Sequence, residues 1–459
     1  MPYILKKYYP VRHIVFFTGE GLLIFFAISS VYLFLEGAGN WAAHTPLLIS
    51  RAVLVTVIFQ FCLYLFDLYD LSFSTAFSDT VARILQAFGI GCILLALFYF
   101  SFPAIMISNK VFWLGCLVIG STIGLWRFFY ALVLDRQLFT QPVLLLGAGI
   151  TAEKIAEEIR RKRDSAYRIA AQVSEETGDR LHGVPRYAEA QNLPQICGDH
   201  GIGKIVVTLD NRRGTMPIQS LMACKLQGVQ IVSGIEFYEG LTGKIMVERV
   251  NPSWIIFSEG FKAGRMTSLL KRTTDILVSS IGLALSLPIS LLTALLIKLE
   301  SPGPVFYLQE RVGEKGKTFN VIKFRSMRAD AEKNGPVWAN RNDSRVTRFG
   351  RFIRKVRIDE IPQMWNVLNG EMSFVGPRPE RPVFVDELTK KIPYYSLRHN
   401  VKPGITGWAQ VCYPYGASEE DALRKLEYDL YYIKNMSLRM DLGIIFLTAK
   451  TVLFQKGAR

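Results

Sequence analysis

The stretch that decides how this chain meets a membrane is Leu283-Ala-Leu-Ser-Leu-Pro-Ile-Ser-Leu-Leu-Thr-Ala-Leu-Leu-Ile-Lys-Leu299, an apolar run with Pro288 inside it. A proline within a helix removes a backbone hydrogen bond and bends the helix axis. Such a helix either spans the bilayer or enters it and returns to the same side. The charged sequence that follows favours the second alternative, a re-entrant helix broken at Pro288, and Ser301-Pro-Gly-Pro304 marks its abrupt exit.

Four further apolar runs precede this stretch, and each is close to the ~20 residues that a helix needs to cross a bilayer. They cover residues 14–35, 47–66, 84–107 and 111–134. Basic residues concentrate before the first run and at the end of the fourth: Lys6, Lys7, Arg12, Arg127 and Arg136. Because cytoplasmic flanks carry the excess of Lys and Arg, both ends of this four-helix transmembrane unit are predicted to face the cytoplasm.

Three charged residues, Glu20, Arg51 and Arg127, fall within these runs or at their ends. Charge inside a membrane marks a transport path in some proteins, but snorkelling or pairing between helices is the interpretation we favour. We therefore expect these side chains to stabilise the helix unit.

The composition agrees with a membrane protein. Half of the 459 residues are hydrophobic, 12% are aromatic and only 20% are charged, a lower charge content than a soluble protein usually has. The formal net charge of +15 favours an anionic partner, which is lipid head groups, phosphorylated substrates or nucleic acid. The cysteines and histidines are dispersed, so they indicate buried thiols of a reducing compartment and support no zinc site.

Residues 140–250 alternate strand-like and helix-like segments, which is typical of a parallel α/β sheet. Strands are predicted at Pro142–Gly147, Ile169–Val173, Lys204–Thr208 and Val229–Val232. The segment Gly147-Ala-Gly149 opens a helix, as in dinucleotide-binding folds, but the expected acidic partner is poorly placed, since Glu175 and Glu176 follow the second strand. A structural or regulatory role is therefore favoured over cofactor binding.

Residues 311–357 form a strongly basic segment, with fourteen Lys or Arg against four acidic residues. Such a segment either rests on anionic lipid, at about 1 kcal/mol per charge near the surface, or lines a pocket for a diphosphate, and both can hold together. Lys323 and Arg325 lie within it, and Arg354 lies near its end. Nucleic-acid binding is disfavoured, because the segment adjoins a membrane run and no nucleic-acid module is recognised.

Asp359 and Glu360 follow this segment and precede Pro362, a pattern that suits the first turn of a helix. Adjacent helical side chains diverge, so one carboxylate can face a reacting phosphorus while the other holds a hard cation, and a helix N-terminus donates to phosphate oxygens. The structural alternative is an Asp359 N-cap and a Glu360 that interacts favourably with the helix dipole. From these residues alone, the structural alternative is favoured.

Two further loops carry candidate binding residues. Arg378 lies between Pro377 and Pro379, so its backbone is stiff and its planar guanidinium suits bidentate phosphate contact. A structural turn with an exposed arginine is the alternative. Trp408 follows a Pro-Gly turn, and its indole either stacks on a base or sugar or anchors in the membrane interface; the physical argument favours the anchor.

These motifs occur in an order that resembles the bacterial sugar transferases, the monotopic polyprenyl-phosphate phosphoglycosyl transferases. The resemblance covers residues 268 to 455 and rests on Lys323-Phe-Arg325-Ser-Met327, Asp359-Glu360, Phe374-Val-Gly-Pro-Arg-Pro379, Lys402-Pro-Gly-Ile-Thr-Gly-Trp-Ala-Gln410 and Tyr428–Asp441. Several ordered motifs along one segment make it specific. The four runs and the α/β region upstream look like the long form of the family.

The resemblance implies a two-step reaction. Asp359 attacks the diphosphate of a nucleotide-diphosphate sugar, usually a UDP-sugar in this family, and the nucleoside monophosphate leaves; undecaprenyl phosphate then takes the sugar-1-phosphate from the aspartyl intermediate. Glu360 matches the family's ligand for a Mg²⁺ cofactor. The phosphate-binding residues implied by the match are Lys323, Arg325, Arg354 and Arg378.

The predicted fold class is a multidomain membrane protein with three parts. A four-helix transmembrane unit occupies residues 1–139, a Rossmann-like α/β domain residues 140–262, and a re-entrant helix with a small, mostly α catalytic domain residues 263–459. The resemblance implies the bacterial inner (cytoplasmic) membrane, with the catalytic domain on the cytoplasmic face, and the initiating step of exopolysaccharide, capsule or O-antigen synthesis. The sugar, the nucleotide and a homodimer are left open.

One departure from the family pattern concerns the break of the re-entrant helix. Some short members carry Ser-Pro there, whereas this chain has Leu287-Pro288. The serine hydroxyl that could bond freed backbone is therefore missing, and only the proline bends the helix.

Two rival hypotheses use the same residues differently. An oxidoreductase or sugar-modifying enzyme would act through the glycine-rich loop, but no convincing Tyr-x-x-x-Lys pair or catalytic cysteine lies nearby. A non-catalytic scaffold for polysaccharide assembly would need neither the acidic pair nor Arg378, and both are intact.

Overall fold

The computed structural model of the chain divides into two compact units, Met1–Phe237 and Tyr238–Arg459. It describes all residues except 1–2, 5–6, 9–10, 70–76, 137–139, 163–164, 175–180, 182, 210–215, 251, 259, 262–263, 329–344, 415, 417 and 454–459. The predicted domain boundaries at 139/140 and 262/263 fall within or beside these gaps and remain predictions. Glu175, Glu176 and the middle of the basic segment likewise lie outside the described residues.

The first unit begins with long apolar helices. Two short strands come first: β1 is Tyr3–Ile4 and β2 is Lys7–Tyr8. The three helices that follow, α1 to α3, are Val11–Leu65, Phe77–Ser101 and Asn109–Asp135. Four segments of these helices are long and apolar enough to cross a membrane: His13–Gly37, Pro46–Leu65, Ser78–Ser101 and Asn109–Leu134. The prediction of four apolar helices is therefore confirmed at the level of length and composition.

The bounds of three predicted runs differ from the structure. The helix α1 joins the first two runs, and Gly37 lies between them with a φ of +81°, a value that glycine adopts without steric cost. The helix α2 ends at Ser101, before the predicted residue 107, because Pro103 follows. The residue before a proline is pushed out of the helical region, and Pro103–Ile105 forms a separate 3-10 turn.

Two of the charged residues within these helices pair with each other. The buried Glu20 carboxylate lies with Oε1 2.9 Å from Nη2 of Arg127, so α1 and α3 are joined by an ion pair. Arg127 also donates from Nη1 to the carbonyl oxygen of Leu68 at 2.7 Å. Arg51 donates to the carbonyl oxygen of Ala104 at 3.2 Å. The interpretation of Glu20 and Arg127 as a helix-pairing contact is confirmed.

A parallel five-stranded sheet completes the first unit. Its strands β3 to β7 are Gln141–Leu146, Tyr167–Val173, Arg186–Tyr187, Lys204–Val207 and Gln230–Ser233, in the spatial order β5-β4-β3-β6-β7. The helices α4 to α6 are Ile150–Arg161, Leu193–Asp199 and Ile218–Leu226, and α7, Gly234–Thr242, continues into the second unit. The predicted parallel α/β sheet is confirmed, and its four longer strands match the predicted ones; the two-residue β5 is an addition.

The glycine-rich segment forms the turn from β3 into α4. Gly147 has a φ of +119°, and a Cβ there would lie 2.9 Å from the backbone nitrogen of Leu209. Gly149 has a φ of +99° and is the N-cap of α4. Both glycines therefore meet backbone requirements of the turn itself.

The second unit is mostly helical. Its helices α8 to α15 are Pro252–Phe257, Arg265–Glu300, Arg348–Lys355, Gln363–Asn369, Pro382–Lys391, Trp408–Cys412, Glu419–Lys434 and Leu438–Leu453. The strands β8 (Phe306–Val312) and β9 (Thr318–Phe324) form an antiparallel pair. The strands β10 (Ser373–Val375) and β11 (Gly404–Thr406) form a parallel pair. Its largest core includes the buried Leu388, Leu426, Leu430, Tyr432 and Ile444.

The helix α9 contains the apolar stretch with Pro288 and is also long and apolar enough to cross a membrane. Helical backbone continues through Pro288, so the predicted break does not interrupt the helix; a mid-helix proline is accommodated by bending the axis. Within the second unit, Met364 lies against Gly282 in the first half of α9. Near its end, Ile297 packs with Phe324 and Ile353.

The segment that precedes α9 is held tightly in the second unit. The carboxylate of Glu239 accepts a hydrogen bond from Lys434 Nζ at 2.6 Å, and that ammonium lies 4.4 Å from the ring centroid of Trp254. The indole N–H of Trp408 donates to the carbonyl oxygen of Gly243 at 2.8 Å. Trp408 therefore packs within this unit, and its interpretation as a membrane anchor stays a prediction.

A fragment that begins at Tyr238 is expected to be more stable than one that begins at residue 263. The shorter fragment loses the partners of Lys434 and Trp408, and a buried polar group without a partner costs about 1–3 kcal/mol. We expect its thermal unfolding midpoint to lie roughly 10 °C lower. Thermal unfolding in one detergent measures this, with Glu239→Gln in the longer fragment as an intermediate case; equal midpoints would contradict it.

Candidate functional site

The carboxylate pair lies in a 3-10 turn, Ile358–Glu360, between α10 and α11. Asp359 and Glu360 are only 8% and 9% exposed. Pro362 is the N-cap of α11, so the pair precedes this helix instead of forming its first turn. Asp359 caps neither α11 nor the 3-10 turn, and the N-cap alternative is therefore wrong.

Arg357 directs the pair into its position. It has a φ of +61° and a ψ of +17°, in the left-handed region that non-glycine residues seldom occupy. Such a conformation costs of the order of 1–3 kcal/mol and persists only where the surroundings impose it. It turns the chain sharply between α10 and the 3-10 turn, and places the Arg357 guanidinium beside Glu360.

Three cations surround one oxygen of Glu360. Its Oε1 lies 3.2 Å from Arg378 Nη2, 3.4 Å from Arg357 Nη1 and 3.9 Å from Lys323 Nζ. Burial raises the pKa of this carboxyl, but the charges of Arg378, Lys323 and Arg357 outweigh burial, so its pKa lies well below the ordinary value. Glu360 is therefore an anion throughout the physiological pH range.

The pKa of Asp359 is displaced in the opposite direction to that of Glu360. Burial first, and then the negative charge of Glu360, raise its pKa above the ordinary value, against the lowering by Lys323, Arg357 and Arg354. Among the described residues, its buried Oδ1 has no hydrogen-bond partner. Two adjacent carboxyls with pKa values displaced in opposite directions are a typical arrangement for an active site.

Lys323 lies on β9 of the β8–β9 hairpin, and α11 fixes the position of this strand. The buried side chain of Asn366, on α11, donates to the carbonyl oxygen of Asn320 at 2.8 Å and accepts from the backbone N–H of Ile322 at 3.0 Å. These bonds tie the strand to the helix that follows the carboxylate pair. Burial first, and then the charge of Arg378, lower the pKa of Lys323 to about 8.

Arg378 follows β10, whose approach to β11 requires glycine. The N–H of Gly376 donates to the carbonyl oxygen of Thr406 at 2.8 Å, and the N–H of Gly404 donates to that of Pro377 at 2.9 Å. A Cβ on Gly404 would collide with the backbone of Gly376. The two chains therefore touch through their backbones, and this contact sets the direction in which Arg378 leaves the strand.

The remaining predicted site residues lie in different places. Arg354 is half-buried on α10, and its charge acts on Asp359. Arg325 donates to the carbonyl oxygens of Pro302 and Ser301, at 2.7 and 2.8 Å, and so holds the exit of α9. Pro288 lies within α9. The structure thus brings Lys323 and Arg378 to Glu360, whereas phosphate binding by Arg325 stays a prediction.

Sequence reasoning missed two residues of the site, Arg357 and Asn366. Arg357 stands three residues before Glu360, a spacing at which side chains meet on a helical turn, and this signal was present in the sequence. Asn366 gave no such signal, because its partners on the β8–β9 hairpin lie 44 and 46 residues away.

The cluster suits a reaction at an anionic group. Cations around a buried carboxylate stabilise additional negative charge when a phosphorylated ligand enters. A second carboxylate, with an oxygen that makes no hydrogen bond among the described residues, is available for nucleophilic attack. Over the described part of the chain, no group of three or more His, Cys, Asp or Glu is arranged to hold a metal ion.

Comparison with known proteins places these residues in a family. The family described as bacterial sugar transferase matches residues 266–455. The chain is 45% identical over 239 residues to the UDP-N-acetylgalactosamine-undecaprenyl-phosphate N-acetylgalactosaminephosphotransferase of Aeromonas hydrophila, a match of 52% of this chain and 56% of the relative. It is 33% identical over 335 residues to the undecaprenyl-phosphate glucose phosphotransferase of Komagataeibacter xylinus, covering 71% and 61%.

A shorter relative is covered almost completely. The exopolysaccharide production protein PSS of Rhizobium leguminosarum bv. phaseoli is 42% identical over 192 residues, which are 40% of this chain and 94% of the relative. Against the Aeromonas and Komagataeibacter proteins, the chain spans 56% and 61% of their lengths. The order of the motifs and these matches agree: the chain belongs to the bacterial sugar transferase family.

Proposed function

We propose that this chain transfers a sugar-1-phosphate from a nucleotide-diphosphate sugar, a UDP-sugar, to undecaprenyl phosphate. The buried Asp359, beside a Glu360 that three cations surround, is the observation that carries the proposal. The relatives' names support both substrate classes, since they include UDP-N-acetylgalactosamine and undecaprenyl phosphate. The proposed place is the cytoplasmic face of the bacterial inner membrane, as the initiating step of exopolysaccharide, capsule or O-antigen synthesis.

The proposed chemistry has two displacements at one phosphorus. A carboxylate oxygen of Asp359 attacks the phosphorus that carries the sugar, the bond from this phosphorus to the bridging oxygen breaks, and the nucleoside monophosphate leaves with the electron pair. An oxygen of undecaprenyl phosphate then attacks the same phosphorus, and the Asp359 carboxylate leaves unchanged. Neither step oxidises or reduces a group, and each conserves the number of bonds to phosphorus.

Arg378 and Lys323 have a proposed part in the first displacement. Both already contact the Glu360 carboxylate at 3.2 and 3.9 Å, so a diphosphate placed beside Asp359 meets their charges without a change of backbone. Negative charge grows on the bridging oxygen as the bond to the leaving group breaks. Fixed cations in a buried site stabilise this charge more than they would in water.

The carboxylate pair fits a magnesium ion. Asp359 Oδ1 is buried and makes no hydrogen bond among the described residues, and an unsatisfied carboxylate oxygen beside Glu360 is a hard donor. Magnesium is usually held by one or two carboxylates together with water and substrate phosphate oxygens. We propose Glu360 as its protein ligand; when bound, the ion neutralises charge on the diphosphate.

The course of α9 supports a re-entrant membrane helix. A straight helix of its length would extend about 54 Å, yet residues near both ends contact the second unit, through Lys271 and Ile297. The large apolar side chains between them, such as Leu285 and Leu291, are exposed. We propose that α9 bends at Pro288, enters the bilayer with this apolar middle part and returns to the side of the catalytic residues.

The pH dependence of the first displacement follows from Asp359 and Lys323. As pH falls, Asp359 is protonated at a pH above the ordinary aspartate range, because its pKa is raised, and the nucleophile is lost. As pH rises through about 8, Lys323 loses its charge. We expect kcat/KM for the nucleotide sugar, which reports the free enzyme, to decline on both sides. Lys323→Arg should move the alkaline decline to higher pH, and an unmoved decline would contradict the assignment.

The proposed function is tested by release of nucleoside monophosphate from a panel of UDP-sugars, with magnesium, by the full chain in undecaprenyl phosphate-containing vesicles. We expect release from one donor, sustained only when undecaprenyl phosphate is present. A single turnover without the lipid would show the first displacement in isolation. A folded protein that releases no nucleotide from any donor would overturn the proposal in favour of a scaffold.

A further inference from the structure

Two buried clusters, each with a cation, an aspartate and a tyrosine, hold the main chain on either side of Gly376-Pro377. In the first cluster, Lys271 Nζ donates to the carbonyl oxygen of Val375 at 2.9 Å. The same ammonium contacts Asp441 Oδ2 at 2.8 Å and the hydroxyl of Tyr432 at 3.0 Å. Tyr432 also donates to Asp441 Oδ1 at 2.7 Å, so the three side chains form a closed triad.

The second cluster binds the main chain three residues further along, and its cation contacts both of its other side chains. Arg398 Nη2 donates to the carbonyl oxygen of Arg378 at 3.0 Å and to Asp429 Oδ2 at 2.9 Å. Arg398 Nη1 donates to the hydroxyl of Tyr395 at 2.6 Å. The side chains of Arg398 and Asp429 are 6% and 3% exposed, and those of Lys271 and Asp441 are 14% and 4% exposed.

Both triads therefore contain a cation, an aspartate and a tyrosine, and in each the cation binds a main-chain carbonyl of one four-residue segment. A buried ion pair adds little stability compared with apolar side chains of similar volume, because desolvation offsets its attraction. What a cation on a carbonyl oxygen does provide is a defined position for that peptide. The segment held at both ends is Val375-Gly-Pro-Arg378, and it ends in the arginine that contacts Glu360 at 3.2 Å.

The four side chains that form these triads with Lys271 and Arg398 lie on three elements. Asp441 lies on α15, Tyr432 and Asp429 lie on α14, and Tyr395 lies in the 3-10 helix Tyr395–Asn400. Lys271 itself lies on α9, the proposed membrane helix. The main chain on both sides of Gly376-Pro377 is thus held by contacts distributed through the second unit.

We propose that the triads Lys271–Asp441–Tyr432 and Arg398–Asp429–Tyr395 are positioning residues that set the place of the Arg378 guanidinium for the first displacement. The inference rests on the proposed function. The triads touch neither the nucleotide sugar nor the reacting phosphorus; they act by fixing the peptides from which the side chain of Arg378 projects.

A double-mutant cycle on the full chain in vesicles tests this inference, with single-turnover release of nucleoside monophosphate as the readout. The test variant is Arg398→Met with Asp429→Leu, because replacement of both charges by apolar groups avoids an unpaired buried charge. We expect roughly 10- to 100-fold slower release in the native background, since a displacement of about 1 Å at a catalytic group can cost 100-fold. In an Arg378→Ala background, the same replacement should cause no further loss, because the effect passes through Arg378.

Three further variants serve as controls and comparisons for this experiment. Lys391→Ala removes a cation that pairs with Glu387 and Glu419 on the surface, and its release rate should equal that of the unaltered chain. Lys271→Met with Asp441→Leu should behave as the Arg398 pair does. Arg398→Lys keeps the charge but not the forked geometry, so it should also slow release while the KM for the donor changes little.

Equal fold-losses in the native and Arg378→Ala backgrounds would overturn the inference, because they would show a general structural effect. An unchanged rate in folded Arg398→Met/Asp429→Leu and Arg398→Lys proteins would overturn it as well. Failure of the proposed function gives a different pattern, in which the unaltered chain releases no nucleotide from any donor.

Discussion

Replacement of Asp359 by asparagine is expected to abolish the covalent intermediate and to slow release of nucleoside monophosphate by roughly 10⁴- to 10⁶-fold, the usual cost of losing a nucleophile. The amide is nearly the same size but cannot attack phosphorus. The folded state should not suffer, because the buried aspartate has a raised pKa and is therefore already disfavoured as an anion. We expect the unfolding midpoint at neutral pH to be unchanged or slightly higher.

The measurement uses a UDP-sugar labelled at the phosphorus that carries the sugar, and follows label bound to protein by electrophoresis and mass spectrometry. Asp386→Asn is the matched control, since Asp386 is an exposed aspartate of the same unit. Label on the control protein and none on Asp359→Asn is the expected pair of results. Undiminished turnover by Asp359→Asn would remove this residue from the chemistry.

The second large effect is expected from Gly404→Ala. The added methyl group would collide with the backbone of Gly376 and Thr406, and no side-chain rotation relieves a contact between main chains. Overpacking of this kind costs about 3 kcal/mol of unfolding free energy. Separation of β10 from β11 also displaces Arg378, so release should fall by roughly 100-fold.

Gly443→Ala provides the matched control for this substitution. Gly443 lies in α15, and a Cβ there meets no atom within 4 Å. In a helix, alanine is more stable than glycine by roughly 0.5–1 kcal/mol, so this variant should be as stable as the unaltered chain or more so. Chemical unfolding of both variants measures their free energies of unfolding. Similar values for Gly404→Ala and the unaltered chain would contradict the prediction, because they would show that the strands separate without loss of stability.

The coarse fold could be read from the sequence because its signals are local. Apolar runs of about twenty residues predict membrane helices, and alternation of short apolar segments with helical ones predicts a parallel sheet. The short β5, of two residues, has no periodicity to detect. The junction of the first two runs in α1 depends on the conformation of Gly37, which composition does not specify.

The site was predictable only where its functional residues are neighbours in the sequence. Asp359 and Glu360 stand together in the chain, and Arg378 stands between two prolines. Contacts between distant residues could not be predicted from the sequence pattern. Lys271 and Asp441 are 170 residues apart, and neither segment has a feature that predicts their contact. The direction of the Arg325 side chain, towards the carbonyl oxygens after α9, is likewise a product of tertiary packing.

The ion pair between Glu20 and Arg127 has a consequence for the order in which the chain is assembled during its biosynthesis. The two residues are 107 positions apart, so the carboxylate in α1 emerges from the ribosome well before its arginine. At the usual rate of translation this interval is about 5 to 20 s. Release of α1 into lipid during that time would expose an unpaired charge to hydrocarbon. We therefore expect α1 to stay beside the insertion machinery until α3 has been synthesised.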